Sequence, residues 1–346
     1  MPTTALVLET NNLRGGGADA GRVVDSLRSL LLRLRAQTRS LDTLDELVIT
    51  HDGLSPKACR SLERAARSPI RFVEIDADTD YYEAKNRGFD ATTADVVAFG
   101  DADCLPEPRW LEALFAPFSS PDVKVVSGRT TYDDGVFGIA ATTIDFMYFP
   151  SPLGRDCVRN FYANNVAFRR EVFAAHRYQP ADRIYRGHCQ VLGFTLLKEK
   201  IPVVFAPVAR TIHRLPDTRR ELFHLRVLRG RDGAEMTPRL ADSVLPKRAR
   251  WLGRLGPLSA SAVMAARFGF SVHHLGKQDM PEVRGSRRAR TVGVIAAISL
   301  LDGAAALARS VKPARRRRHA VDTVLSYHRQ AGPISASPRA TVVSAE

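Results

Sequence analysis

The sequence predicts an α/β fold with a mixed, mainly parallel sheet flanked by helices and a basic, apolar helical extension at its C-terminal side. Three observations predict it. Short apolar runs alternate with stretches of helical periodicity through the first hundred residues. Polar residues follow those runs at once, as they do where strands end in a ligand-binding edge. The charge is also unevenly placed. The 346-residue chain carries a net +14, yet Lys247 to Ala320 holds 16 Lys and Arg against 3 Asp and Glu. A nearly neutral body is thus joined to a strongly basic segment, of the kind that meets anionic surfaces.

The elements follow in order. Ala5–Leu8 reads as a short buried strand, and Glu9-Thr10-Asn11-Asn12 as its polar turn. Gly15-Gly16-Gly17 breaks the chain. Val24, Leu27, Leu30, Leu31 and Leu34 fall on one face of a helix over residues 23–34. Leu47–Ile49 is a second strand, running into His51-Asp52-Gly53. Pro56–Ala66 is a second helix, Ile70–Ile75 a third strand, Tyr82–Ala91 a third helix and Val96–Phe99 a fourth strand. A further helix starts around Pro106, with proline in its first turn. Val123–Val126 and Gly128–Tyr132 read as a strand and a turn, and Val203–Ala206 as a late strand ending at Pro207. The division expected is a main domain over 1–245, a basic helical segment over 246–320 and a disordered tail over 321–346.

Asp101-Ala102-Asp103 follows the fourth strand. Strands send alternate side chains to opposite faces, so these carboxylates converge only if the chain leaves strand geometry there. Carboxylate oxygens suit Mg²⁺ or Mn²⁺, ions that commonly carry phosphates. Cys59, Cys104, Cys157 and Cys189 have no C-x-x-C spacing, so neither a zinc site nor a disulfide framework is expected. No basic-then-apolar leader pattern opens the sequence, and a cytoplasmic main domain is expected.

Taken together, Lys85-Asn86-Arg87-Gly88, Ala94-Asp95-Val96-Val97-Ala98-Phe99, Asp101-Ala102-Asp103 and Pro106-x-Pro108-x-Trp110-Leu111 resemble family 2 glycosyltransferases of the GT-A fold. Asn164–Arg170 and Phe205-Ala206-Pro207 through His213 continue the resemblance, which spans roughly residues 5–214. It implies an inverting transferase that uses a nucleotide-sugar donor and Mg²⁺ or Mn²⁺. Asp103 is then the main metal ligand, Asp101 lies near the sugar or ribose as well as the metal, and His213 completes the metal site. Asp52 matches the aspartate that contacts the nucleobase. Thr10 and Glu9 lie where the first strand meets the nucleotide, although the usual proline of that turn is absent. Lys85 and Arg87 are placed to meet the diphosphate or to be solvated. Arg169 and Arg170 are expected to brace a strand.

The acceptor side departs from the family. An inverting transferase needs a base for the acceptor hydroxyl, and the family supplies it from a pair of carboxylates at a helix start. Here the matching positions read His188-Cys189. His188 is a candidate base, since imidazole titrates near neutrality; Asp182, from the preceding loop, is the other. The aromatic run Phe146–Pro150 either walls an acceptor site or belongs to the core.

Thr291–Ala308 is apolar apart from Asp302 and small polar residues, with basic clusters at both ends. A single span would leave one cluster on the wrong side of a membrane, so an interfacial helix fits better. The expectation is a protein lying on the inner face of the cell membrane, acting on a lipid-linked or polysaccharide-precursor hydroxyl. Packing of this stretch and of a second, weaker one, Leu252–Leu275, on the main domain is the alternative. Two other functions stay open. A nucleotidyltransferase would need a better Gly-rich basic loop than Arg14–Gly17, and a non-catalytic binding protein would explain the missing carboxylate. Basic residues without interleaved aromatics argue against nucleic acid as a partner.

Overall fold

The computed structural model describes residues 2–10, 20–179, 187–216, 218–244, 247–255, 258–275 and 283–311. The expected tail over 321–346 and the Gly15–Gly17 break lie outside the described residues. Strands β1 (Thr4–Glu9), β2 (Glu46–His51), β3 (Arg71–Glu74) and β4 (Val96–Asp101) alternate with helices α1 (Ala20–Arg35), α2 (Pro56–Ala66) and α3 (Tyr81–Asp90). These four strands are parallel, in the order β3-β2-β1-β4. Beyond β4 the sheet continues as β8-β6-β9-β5, where β5 is Cys104–Pro106, β6 Val125–Thr131, β8 Asn165–Arg169 and β9 Val203–His213. β8 runs antiparallel to both β4 and β6, β9 runs parallel to β6, and β7 (Cys157–Val158) pairs with β9. The mixed, mainly parallel α/β sheet read from the sequence is the one found.

Period-two alternation sorts the strands into two cores. Leu6, Leu8, Val96 and Ala98 face α1, α2 and α4 (Trp110–Phe115), packing with Leu27, Leu31, Leu62 and Leu114. Ala5, Val7, Val97 and Phe99 face the opposite layer, with Phe89 of α3, Ile139 and Ile144 of α5 (Val136–Asp145), Phe173 of α6 (Arg170–His176) and Leu196 of α7 (His188–Lys198). Each Leu or Phe fully buried in these layers is worth roughly 1.5–3 kcal/mol. Local signals set the helix ends. Ser55 caps α2 by accepting from the Ala58 N–H at 3.2 Å, with Pro56 in the first turn. Asp80 caps α3 by accepting from Tyr82 and Glu83 N–H.

Three boundaries differ from the sequence reading. The helix expected at Pro106 starts at Trp110, because Pro106 pairs with Thr211 in the short strand β5. Residues 125–131 form one strand rather than a strand and a turn. β9 does not end at Pro207 but runs on to His213. Pro207 sits in a register shift, where Ala206 pairs with Gly128 while Arg210 pairs with the next residue, Arg129. A bulge tolerates proline, since no ladder N–H is required of it there. Asn165 holds the irregularity: its amide donates to Arg129 O (3.0 Å) and Ala209 O (2.9 Å) and its Oδ1 accepts from Trp110 Nε1 (2.8 Å). Arg169 and Arg170 brace neighbouring chain, donating to Val123, Phe118, Ser120 and Ala94 carbonyls.

Three further helices follow: α8 (Arg219–Val244), α9 (Ser259–His274) and α10 (Gly285–Val311). They pack on one another and on α5. Helices on both sides of residue 246 therefore share one packed unit.

Candidate active site at the carboxyl edge of the sheet

Register places the polar strand ends side by side. Glu9 at the end of β1 lies opposite Thr50 of β2 and Asp101 of β4. Parallel strands leave their carboxyl ends on one edge, where such sheets bind ligands. Glu9 and Thr10 are fully buried there. The Thr10 hydroxyl donates to Thr50 O at 2.8 Å, tying the turn after β1 to β2. Asp52, just beyond β2, is partly exposed at the same edge.

The chain leaves strand geometry at Ala102-Asp103 and re-enters it at Cys104, as convergence of the two carboxylates requires. β5 pairs with the end of β9, with Cys104 opposite His213. The pairing brings Asp101, Asp103, Cys104 and His213 together, their ligand atoms all within 4.8 Å of one another. His213 Nδ1 is 2.8 Å from Arg214 O. A carbonyl only accepts, so Nδ1 carries the hydrogen and Nε2 presents its lone pair. Nε2 lies 3.7 Å from Asp103 Oδ2. That gap is too long for a hydrogen bond, and short enough for both atoms to meet one ion at about 2.1 Å each. Two carboxylates and an imidazole suit a hard divalent ion.

Asp101 is committed differently. Lys85, fully buried, donates to Asp101 Oδ1 at 2.5 Å and to Gly100 O at 3.1 Å. The Tyr81 hydroxyl donates to Asp101 Oδ2 at 2.7 Å. Burial first, and the Asp101 charge second, push the Tyr81 phenol well up, so it remains a donor. Lys85 is therefore not solvated. Its ammonium ends on Asp101 and neutralises that carboxylate.

Cys104 escaped the sequence reading. Its thiol lies 3.9 Å from Asp103 Oδ1, and burial together with the neighbouring aspartates pushes its pKa well up. It stays a thiol and packs beneath Asp103. Only the β5–β9 pairing reveals it, since a cysteine isolated in sequence carries no ligand spacing.

His188 opens α7 after Gly187, whose φ of +111° is left-handed. That torsion is what favours glycine there, since a side chain would be strained at it. The His188 ring lies 4.2 Å from the Tyr82 ring, and Tyr82 Oη accepts from the Gly187 N–H at 3.1 Å. Tyr81 and Tyr82 thus tie the DxD carboxylate to the start of α7. His188 lines a cleft with Asp80, Tyr82, Glu83, Tyr178 and Gln179. Asp182 lies outside the described residues. Phe146, Met147 and Tyr148 are buried, and the Phe146 and Tyr132 rings flank His213 at 5.8 and 5.6 Å. The aromatic run thus packs against His213.

Comparison with known proteins agrees with this fold. Glycosyltransferase AglE of Haloferax volcanii is 28% identical over 126 residues, an alignment that takes in 35% of this chain and 40% of that protein. The mannosyltransferase PcManGT of Pyrobaculum calidifontis, solved with GDP-Man and Mn²⁺, aligns over 88% of this chain and 87% of its own, with a TM-score of 0.56 at 15% identity, a likeness of fold. The model of "Glycosyl transferase family 2" matches residues 22–184, which hold α1 to α6, the DxD turn and the strands that frame it. Residues 22–184 belong to glycosyltransferase family 2, on a sheet of GT-A architecture.

Proposed function

We propose that this protein transfers a sugar from a nucleoside-diphosphate sugar to an acceptor hydroxyl, with inversion at the anomeric carbon. The observation that carries the reading is the meeting of Asp103, Asp101 and His213 at the carboxyl edge of a family 2 domain. Asp103 and His213 would hold Mg²⁺ or Mn²⁺, with Asp101 beside them. A bound ion supplies charge neutralisation for the departing diphosphate without a proton. Glu9, Thr10 and Asp52 face the nucleoside. Lys85 serves the donor indirectly, by holding Asp101 in one orientation.

His188 receives the acceptor proton in this reading, with Asp182 as the other candidate. His188→Ala is expected to lower turnover by about 10²–10⁴ while leaving the dissociation constant of the donor nearly unchanged, measured by single-turnover kinetics and calorimetry. Unaltered turnover would remove His188 from the role. Donor binding without transfer to any acceptor in the wild-type protein would favour a non-catalytic homologue.

The acceptor is read as lipid-linked, with the protein peripheral on the cytoplasmic face of a membrane. α10 is long and apolar enough to cross one: an 18-residue window within it has a mean hydropathy of 1.9, and 28% of that window is buried. Its other face, however, carries Asp302, fully buried and paired with Arg226 at 2.5 Å. Crossing a bilayer would tear that pair apart. The exposed face, Gly293, Ala297, Leu300, Ala304, Leu307 and Val311, has no charge and follows helical spacing. Leu300 is 74% exposed, and Arg284, Arg288 and Arg290 are exposed around the helix start. Such a surface suits a helix lying in the plane of anionic headgroups. The full chain is expected to float with vesicles containing phosphatidylglycerol, and Leu300→Glu with Leu307→Glu to stay behind. A wild-type protein that remains at the bottom of the gradient would end the idea.

A further inference from the structure

Asp145, at the end of α5, is surrounded by three arginines. Arg226 donates to both of its oxygens at 2.9 Å, and Arg229 and Arg267 also pair with it. Arg226 also grips Asp302 of α10, donating through Nε at 2.8 Å and Nη2 at 2.5 Å. Arg267 of α9 reaches Asp302 at 3.6 Å. Two C-terminal helices, α8 and α9, therefore converge on one buried carboxylate of the sheet domain, and α10 joins them through Asp302. Side chains of Arg226, Asp145 and Asp302 are each at most 2% exposed.

The cluster extends one residue further, toward the site. The Tyr132 hydroxyl donates to Asp145 Oδ2 at 3.2 Å and accepts from Arg229 Nη2 at 3.2 Å. Tyr132 N donates to Thr142 Oγ1 at 2.8 Å. The other end of the Tyr132 ring meets the His213 ring edge-on, at 5.6 Å and 74°. Phe146 packs on both rings, 5.0 Å from Tyr132 and 5.8 Å from His213. His213 thus has its Nδ1 held by Arg214 O and its ring plane held by Tyr132 and Phe146. The phenol is fixed in turn by charges on α5 and α8.

We propose that Tyr132 is a positioning residue for His213, through which the α8–α10 bundle holds the histidine's Nε2 in line with Asp103. The proposal rests on the reading of His213 as a metal ligand. Groups that orient a ligating imidazole commonly change metal affinity by about 10–100-fold when removed. Here the support is a ring contact with an anchored hydroxyl rather than a hydrogen bond to the imidazole, so the lower end is expected.

The test uses the full chain and two probes, Mn²⁺ with GDP and Mn²⁺ with UDP, read as loss of the free Mn²⁺ signal in electron paramagnetic resonance. Tyr132→Phe keeps the ring and removes the anchor. It is expected to weaken Mn²⁺ binding about tenfold and to shift the His213 ring ¹⁵N resonances, with little change in melting temperature. Arg229→Lys keeps a cation for Asp145 but loses the fork that also reaches Tyr132. It is expected to weaken Mn²⁺ binding in the same direction, and serves if Tyr132→Phe fails to fold. A lowered melting temperature with unchanged Mn²⁺ affinity and unchanged ring resonances would make Tyr132 merely structural and overturn the proposal. A wild-type protein that binds no Mn²⁺ with either nucleotide would overturn the metal reading itself, and the proposal with it.

Discussion

Asp103→Ala is expected to abolish Mn²⁺-dependent binding of the donor and to reduce sugar transfer by at least about 10²–10³, the scale of losing one preorganised electrostatic contact to a developing charge. Calorimetry with GDP and UDP, with and without Mn²⁺, measures the first; initial rates measure the second. Asp103 is the right carboxylate to remove. Its side chain is 10% exposed and lies close to His213. Asp101→Ala would be less clean, because Lys85 would be left buried without its partner. Nucleotide binding in Asp103→Ala that still responds to Mn²⁺ as in the wild type would sink the metal assignment.

Arg226→Leu is expected to be the most damaging substitution away from that edge. It leaves Asp145 and Asp302 buried with fewer countercharges, and removing one partner of a buried ion pair typically costs about 3–5 kcal/mol. Denaturant unfolding measures the loss, and a change under about 1 kcal/mol would show the pair to be dispensable. The pH dependence has a definite sign. Burial alone would raise the Asp145 pKa, but Arg226, Arg229 and Arg267 outweigh it and hold the carboxyl well below the usual carboxylate range. A depressed folded pKa gives stability that is complete above the unfolded value, about 3.9, and is lost as pH falls through the folded one. The gap between wild type and Arg226→Leu should therefore be widest near neutrality and close in strong acid. The same substitution should loosen α10 in its packing, since Asp302 would keep only the longer contact to Arg267, at 3.6 Å.

The carboxyl edge of the sheet was legible because its signals are local. Apolar runs of strand length, helical periodicity such as Val24 to Leu34, and the polar residues after each run need no distant contact to be read. The resemblance carried by Lys85-Asn86-Arg87-Gly88, the DxD triplet and Trp110-Leu111 added the chemistry. Several of those residues turn out to be scaffolding: Lys85 neutralises Asp101, and Trp110 binds Asn165. A motif marks where a site lies without separating the groups that touch a ligand from those that hold the groups in place.

Other features were hidden for identifiable reasons. Pro207 looked like a strand end because proline lacks a ladder donor, and only the register against β6 shows a bulge. Asp302 looked like a blemish in an apolar helix, and its partner Arg226 is 76 residues away in sequence. Cys104 had no neighbour in sequence to mark it, and the β5–β9 pairing gave it one.

By itself the sequence determined the α/β alternation, the edge at which a ligand would sit, the two aspartates of the DxD turn, and the absence of a carboxylate where His188 stands. These depend on periodicity and on neighbours a few residues apart. The tertiary structure decided that Lys85 serves Asp101, that Cys104 and His213 lie beside Asp103, and that the basic C-terminal helices are locked to the domain through Asp145. Each of these is a contact between residues far apart in the chain, set by strand register and helix packing, which no local pattern encodes.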